Sequence, residues 1–430
     1  MQELFHMASP QKHDSPRPAH SVTPGGSRLS DGNAAPGRSR VPGSCAVPAS
    51  SGAPGRVRAG RAVRSVLGAL RTHYPGFVLG LPVRKDSIPV FIYHDVERDR
   101  LAGDLEFLRR NRYRTLSLGE FAAAAAAKSG LPRGCGRCVL LTFDDARSNF
   151  HDTALPVLRE FEARATLFAP TYWIGDPFPR TADMERFMTW DQLRSSAQSG
   201  LVDVQSHAHR HALVYTSGRL LEFANPRTLA GYDIYDWPMR NGYAGEELGR
   251  PALGTPIYSA TPLLSASRRF VEDPEVAAAC VRLVSRCGDA AFFERPDNAA
   301  LLRRLHARRA RTSPGHLSEH GSLRELVASE FEHSRDLFQK HLGYAPRYLA
   351  YPWMMGSALS LQLAKEFALE AVFGVALDFG RARRPDLPLS AFGRLKSDWL
   401  RLLPGSGRGS LLAIAAGKVA GISKTQHLAH

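Results

Sequence analysis

The 430-residue sequence has no apolar run long enough to cross a bilayer. Its longest apolar stretches, Phe121 to Ala127 and Leu411 to Ile422, stop short of the roughly 18–20 residues a membrane helix needs, and Lys418 breaks the second. Polar residues and Pro fill the first twenty positions where an apolar h-region would lie, so no secretory leader is visible. The default expectation is therefore a cytoplasmic protein, with association with the cell envelope as the alternative. Cysteine is scarce and odd in number: Cys45, Cys135, Cys138, Cys280 and Cys287. Cys135 and Cys138 form a CxxC, but the second close pair of a zinc ribbon is missing, so the pair is read as incidental and fixes no redox compartment. Acidic residues are outnumbered, 41 Asp/Glu against 56 Lys/Arg, for a formal charge of +15. The excess is uneven: residues 1–90 hold 12 Lys/Arg against 4 Asp/Glu. Such a tail is a solvated leader or makes weak contact with a membrane or an anionic polymer. No helix-turn-helix or RNA-binding pattern accompanies it, which argues against nucleic acid as a partner.

What is present falls into blocks. Residues 1–60 are rich in Ser, Pro, Gly, Ala and Arg, lack periodicity and read as a disordered basic tail. Residues 61–85 read as a linker or a short amphipathic helix. From 86 to about 403, strand-like and helix-like stretches alternate, which predicts an α/β protein with a parallel sheet or barrel. The strands are expected at Ile88–Tyr93, Tyr113–Ser117, the run from Cys138, Ala165–Ala169, Leu201–Ser206, Tyr348–Tyr351 and Ala371–Leu377. Helices are expected at Leu101–Arg110, Leu118–Lys128, Asn149–Ala163, Thr189–Ser199, Leu323–Leu342 and Ser360–Phe367. Between about 215 and 319 the alternation breaks down and reads as an insertion at a loop mouth. Residues 404–430 form a tail.

Two strand ends carry chemistry. Cys138-Val-Leu-Leu-Thr-Phe143 is an apolar run that ends in Asp144-Asp145. Adjacent ionised carboxylates repel, burial makes each costlier, and a cation resolves the conflict. About sixty residues on, Val202 to Ser206 ends in His207-Ala-His209-Arg-His211. His207 and His211 share one face if the segment turns helically, whereas all three histidines point one way if it stays extended. Spacing alone does not choose. A hydrolytic metal site needs three protein ligands, an open position and a base beside the water.

Thr142-Phe143-Asp144-Asp145, Ser206-His207-Ala208-His209-Arg210-His211 and Tyr351-Pro352-Trp353 resemble, in order and separation, the polysaccharide deacetylases (the NodB-homology domain, carbohydrate esterase family 4). Tyr93-His94-Asp95-Val96, the Asp104 segment and Tyr113 to Glu120 resemble the subgroup that acts on poly-N-acetylglucosamine. The resemblance covers about 88–217 and 320–400. It implies a distorted (β/α)7-type barrel holding a divalent metal, usually zinc, with cobalt, nickel or manganese as alternatives. It further implies Asp145, His207 and His211 as metal ligands, and Asp144 as the base. Tyr351, Pro352, Trp353, His94 and Asp95 fall at substrate-contacting positions. A backbone N–H near Tyr351 or Trp353 would complete the oxyanion hole. The implied activity is removal of N-acetyl groups from an amino-sugar polymer, and the implied partner is an N-acetylated glycan.

Three departures stand out. Ala350 occupies the place of the Arg that orients the base in many relatives, leaving Arg347 or Arg394 as substitutes, with Arg394 preferred. The late Leu-x-His that supplies the family's general acid has no match except Leu428-Ala-His430 at the extreme C-terminus. Met354 replaces the usual Gly. A missing acid also fits a carbohydrate-binding relative without turnover. Tyr232, Tyr235 and Trp237, inside the insertion, are spaced either for stacking on sugar rings or for a small core of the insertion.

Overall fold

The computed structural model describes residues 75–84, 87–126, 137–175, 187–242, 245–374 and 389–411. The basic tail of 1–60, most of the 61–85 segment, Cys45, Cys135 and the Leu428–His430 motif lie outside these residues.

The strands and helices run as the alternation predicts. In chain order they are β1 (Val90–Tyr93), α1 (Arg98–Arg110), β2 (Arg114–Thr115), α2 (Leu118–Ala126), β3 (Cys138–Phe143), α3 (Leu155–Glu160), β4 (Ala165–Ala169), α4 (Trp190–Gln198) and β5 (Val202–Ser206). The insertion follows with β6 (Leu213–Phe223), α5 (Pro226–Gly231), β7 (Arg240–Gly242), β8 (Gly245–Glu247), β9 (Pro256–Pro262), β10 (Phe270–Val271), α6 (Pro274–Arg286), α7 (Pro296–Thr312) and β11 (His316–Leu317). The chain then returns through α8 (His320–Leu342), β12 (Tyr348–Ala350), α9 (Ala358–Glu366), β13 (Ala371–Phe373), β14 (Ser390–Phe392) and β15 (Leu395–Lys396).

Two points differ from expectation: β14 and β15 fall where no strand is expected, and one helix is broken. The helix expected over 149–163 splits into a π turn, Phe150–Ala154, and α3. Pro156 has no N–H to give the carbonyl four residues back, so the first turn cannot keep α-helical pairing. The Thr189 N-cap is as read, reinforced by a capping box with Gln192.

The main sheet is wholly parallel, in the order β14-β13-β12-β5-β4-β3-β1-β15, with β2 beside β3. Its strands β1, β3, β4, β12 and β13 are buried throughout, as in β3, where all six residues are buried. The first and last strands of this order are joined by only Gly393 and Arg394. Three virtual bonds reach at most about 11 Å, so the sheet curls until its edges nearly meet, a distorted barrel with Arg394 at the seam. Parallel strands bring all their C-terminal ends to one rim. That rim carries the residues after β1, β3, β5 and β12.

The insertion adds no strand to the main sheet but shares a core with it, where Val214, Met239 and Leu264 pack in one cluster with Leu349 and Val372. Its strands pair only with each other, β6 with β9, β7 with β8 and β10 with β11, all antiparallel. It has small cores of its own. One holds Phe223, Cys280, Val284, Phe292 and Leu302. Another packs Trp237 between Ala224 and Ile257, with Tyr232 and Leu229 against it. Among the described residues, no helix is long and apolar enough to cross a membrane.

Candidate metal centre

Register brings the acids together first. β1 and β3 pair Tyr93 with Phe143, and Asp144 N–H donates to the Tyr93 carbonyl at 3.0 Å. His94-Asp95 and Asp144-Asp145 therefore leave neighbouring strands side by side. β5 ends at Ser206, so the three histidines lie on a loop and strand alternation does not apply. His207 and His211 turn inward. His209 turns away, its Nδ1 2.9 Å from the Thr171 hydroxyl and its ring against Tyr172 and His333.

Asp145 Oδ1 lies 3.6 Å from His207 Nε2 and 3.6 Å from His211 Nε2, and the three groups form a cluster of candidate metal ligands. None of these contacts is a hydrogen bond. Asp145 Oδ1 is buried with no hydrogen-bond partner among the described residues. His207 Nδ1 sits 2.8 Å from the Ala350 carbonyl. That bond holds the proton on Nδ1 and leaves the Nε2 lone pair facing Asp145. A bare carboxylate oxygen facing a lone pair is unfavourable without something positive between them. The donor set, two imidazoles and one carboxylate, is that of a divalent transition metal such as zinc.

The electrostatics agree. Burial, then the neighbouring Asp144, raises the Asp145 pKa to about 7. Burial lowers that of His207 to about 4 and drives His211 well below its ordinary value. The imidazoles are thus held neutral, as ligands must be, and the carboxylate is short of a cation.

Asp144 is treated differently. Burial alone would raise its pKa, but Arg394 outweighs it and holds Asp144 below the ordinary carboxylate range. The guanidinium donates twice, Nη1 to Oδ1 at 2.6 Å and Nη2 to Oδ2 at 2.8 Å, and its side chain is fully buried. Arg347, the other substitute, is on the surface against Glu370. Asp144 Oδ2 lies 3.5 Å from His207 Nε2, on the edge of the ligand cluster.

The backbone here is strained. Of ten described non-Gly residues with positive φ, six are at this rim: Asp145, Ala146, Ala208, His211, Trp353 and Met354. Left-handed backbone in such residues persists only where the surroundings impose it. Met354 occupies the expected Gly position at φ +58, and Gly374 makes room for it: a Cβ there would stand 2.8 Å from Met354 Cα. Glu330 on α8, buried, fixes the histidine loop by accepting from the backbone N–H groups of His209 (3.0 Å) and Arg210 (2.7 Å) and from Arg210 Nη1 (2.6 Å).

The Tyr351-Pro352-Trp353 run needs correction. Tyr351 is fully buried in the core with Leu361, Leu363 and Val372, near Ser360, and its N–H already donates to Phe373. It therefore offers neither a substrate-facing side chain nor an oxyanion donor. Pro352 is buried too. Trp353 alone faces the centre, its ring 4.3 Å from that of His211. His94 and Asp95 are exposed at the mouth.

Sequence reasoning missed Arg147 and gave Tyr235 no place at this centre. Arg147, two residues past Asp145, lies 3.7 Å from Asp145 Oδ2, 3.9 Å from Asp95 and 2.9 Å from Asp233 of the insertion. Tyr235 stacks on the other face of the problem, its ring 3.9 Å from that of His211 at 30°. Their signal was local only for Arg147, which adjoins the carboxylate pair.

Residues 132–224 match the profile of the family described as "Polysaccharide deacetylase". That stretch, which carries Asp144, Asp145, His207 and His211, is similar to the polysaccharide deacetylases. Within this chain, 122 residues are 30% identical to the poly-beta-1,6-N-acetyl-D-glucosamine N-deacetylase of Escherichia coli K12, over 27% of this chain and 18% of that protein. A stretch of 133 residues is 26% identical to the putative polysaccharide deacetylase YxkH of Bacillus subtilis, over 29% of this chain and 43% of that one. The chain thus spans under half the length of these curated relatives. The deacetylase domain of BpsB from Bordetella bronchiseptica overlays with a TM-score of 0.44 at 20% identity, covering 74% of this chain and 97% of that one.

Proposed function

We propose that this chain is a metal-dependent hydrolase that removes N-acetyl groups from a polymer of N-acetylglucosamine. The observation that carries the reading is the division between two adjacent buried carboxylates. Asp144 is held ionised by Arg394, while Asp145 turns a bare oxygen to the Nε2 atoms of two neutral imidazoles. Similarity to a poly-beta-1,6-N-acetyl-D-glucosamine N-deacetylase supports the choice of substrate.

Asp145, His207 and His211 would hold the metal, with zinc the ion this donor set suits best. A bound divalent cation supplies an acidified water, with its pKa lowered from about 15.7 towards 7, and a Lewis acid for the acetyl carbonyl. Asp144, ionised at neutral pH, takes the water proton. The water oxygen joins the acetyl carbon, the C–N bond breaks, the nitrogen takes up a proton, and acetate and a free amine leave. His94 is the imidazole at the mouth beside the carboxylate pair and is assigned to protonate the amine; burial lowers its pKa, and Asp144 only partly offsets that. The Trp353 N–H is the backbone donor available to the oxyanion, and Asp95 lies where the glycan enters.

The test is acetate release from β-1,6-linked N-acetylglucosamine oligomers by the purified chain. Release at a rate well above that from β-1,4-linked oligomers is expected. Binding of the oligomers without any acetate would instead favour a carbohydrate-binding relative.

A further inference from the structure

Among the buried donors without a partner in the described residues is one that the insertion brings to the ligand cluster. Tyr235 comes from the insertion, and its ring lies on the His211 imidazole, edge-on to Trp173 at 5.7 Å and tilted against Phe187 at 5.8 Å. Its hydroxyl is buried and has no hydrogen-bond partner among the described residues. A buried phenol normally finds one. If only the ring mattered, Phe would fill the same slot without burying an unpaired hydroxyl. The ring lies on the ligand His211, and the Arg147 guanidinium packed over it is 3.7 Å from Asp145, so Tyr235 belongs to the ligand cluster's own surroundings. The ring is also held from behind. Asp233, two residues earlier, is tied to Arg147 at 2.9 Å, and the Arg147 guanidinium packs over the Phe187 and Tyr235 rings.

We propose that Tyr235 is a catalytic residue contributed by the insertion, whose O–H donates to the acetamido oxygen of the substrate. The inference rests on the hydrolytic reading of the centre. As the water oxygen bonds to the carbonyl carbon, the carbonyl π pair moves onto its oxygen, where the Tyr235 O–H stabilises the growing charge. When the C–N bond breaks, that pair reforms the carbonyl of acetate. Tyr235 keeps its proton throughout, since burial raises its pKa well above that of an ordinary phenol. The insertion then completes the catalytic site as well as flanking it.

Tyr235→Phe tests this, because it removes the hydroxyl and leaves the stacked ring. Acetate release from N-acetylglucosamine oligomers, metal content and melting temperature are measured beside the wild-type chain. The expected variant carries one equivalent of metal, melts no lower than wild type, keeps its KM and loses about 10²–10³-fold in kcat, as loss of one oxyanion donor does. A near wild-type kcat overturns the proposal. So does a raised KM with kcat intact, or activity lost together with the metal. Wild-type protein that releases no acetate would overturn the hydrolytic reading itself.

Discussion

Arg394 donates through both terminal nitrogens to the two oxygens of Asp144, at 2.6 and 2.8 Å, across the seam of the barrel. Asp145, the next residue, has Arg147 no closer than 3.7 Å and an orphaned oxygen turned to the histidines. Two like residues, adjacent in the chain, are thereby given opposite protonation tendencies, and that division is how a base and a metal ligand are told apart.

Asp144→Asn removes the base and leaves the three ligands. The variant is expected to keep its metal and to lose about 10²–10⁴-fold in turnover. Near-normal acetate release by Asp144→Asn would reassign the base.

Arg394 sets the pH at which that base is available. Asp144 must be ionised to act, and Arg394 holds its pKa below the ordinary range. In Arg394→Lys one point charge replaces the two-pronged contact, so the pKa rises and the acidic limb of the kcat/KM profile moves to higher pH. An unmoved limb, with activity otherwise retained, would mean that Arg394 only packs.

Asp145 has the opposite sign. Its pKa in the metal-free fold is about 7, above that of an ordinary carboxylate. The metal-free protein therefore loses stability as pH rises through the interval between the two, and metal reverses the effect. At pH 8, Asp145→Asn should melt above wild type without metal and below it with zinc. Zinc affinity of the wild type should weaken about tenfold per pH unit below about 7, because one proton must leave on binding. His207→Ala and His211→Ala should lose the metal; a full equivalent of zinc in purified His207→Ala would remove it from the ligand set.

Much of this was legible in the sequence, for definite reasons. Strands that end in Asp144-Asp145 and His207 are short-range patterns, and parallel pairing brings their ends to one rim whatever the details. The choice between the two pictures of the histidine loop was not legible, because it turns on where β5 stops and on Glu330, more than a hundred residues away. Nor was the inward turn of Tyr351, whose apolar body fits a core as well as a cleft. Tyr235 stood out by its aromatic spacing, but its place on His211 and the Asp233–Arg147 pair were hidden because they depend on how an irregular insertion docks, which no periodicity encodes.

Glu330 gives a measurable handle on the histidine loop. Removing it in Glu330→Ala leaves two loop N–H groups and Arg210 without their shared acceptor. Metal affinity should fall about 10–100-fold, as with other supports of metal ligands. Calorimetric zinc titration reads this directly, and unchanged affinity would show that the loop is held by its own packing.

Trp237 is 1% exposed inside the insertion and not on a sugar-stacking surface. Trp237→Ala should cost about 3–5 kcal/mol of stability, read by denaturant unfolding. A rise in KM at unchanged stability would return Trp237 to the substrate cleft.

The most direct test of the account is acetate release from N-acetylglucosamine oligomers by the wild-type chain, measured as purified, after chelation and after zinc is added back. The account predicts release that falls to background on chelation and returns in proportion to the zinc bound, up to one equivalent. Release that persists in fully chelated protein, or its absence from protein carrying one equivalent of zinc, would contradict it.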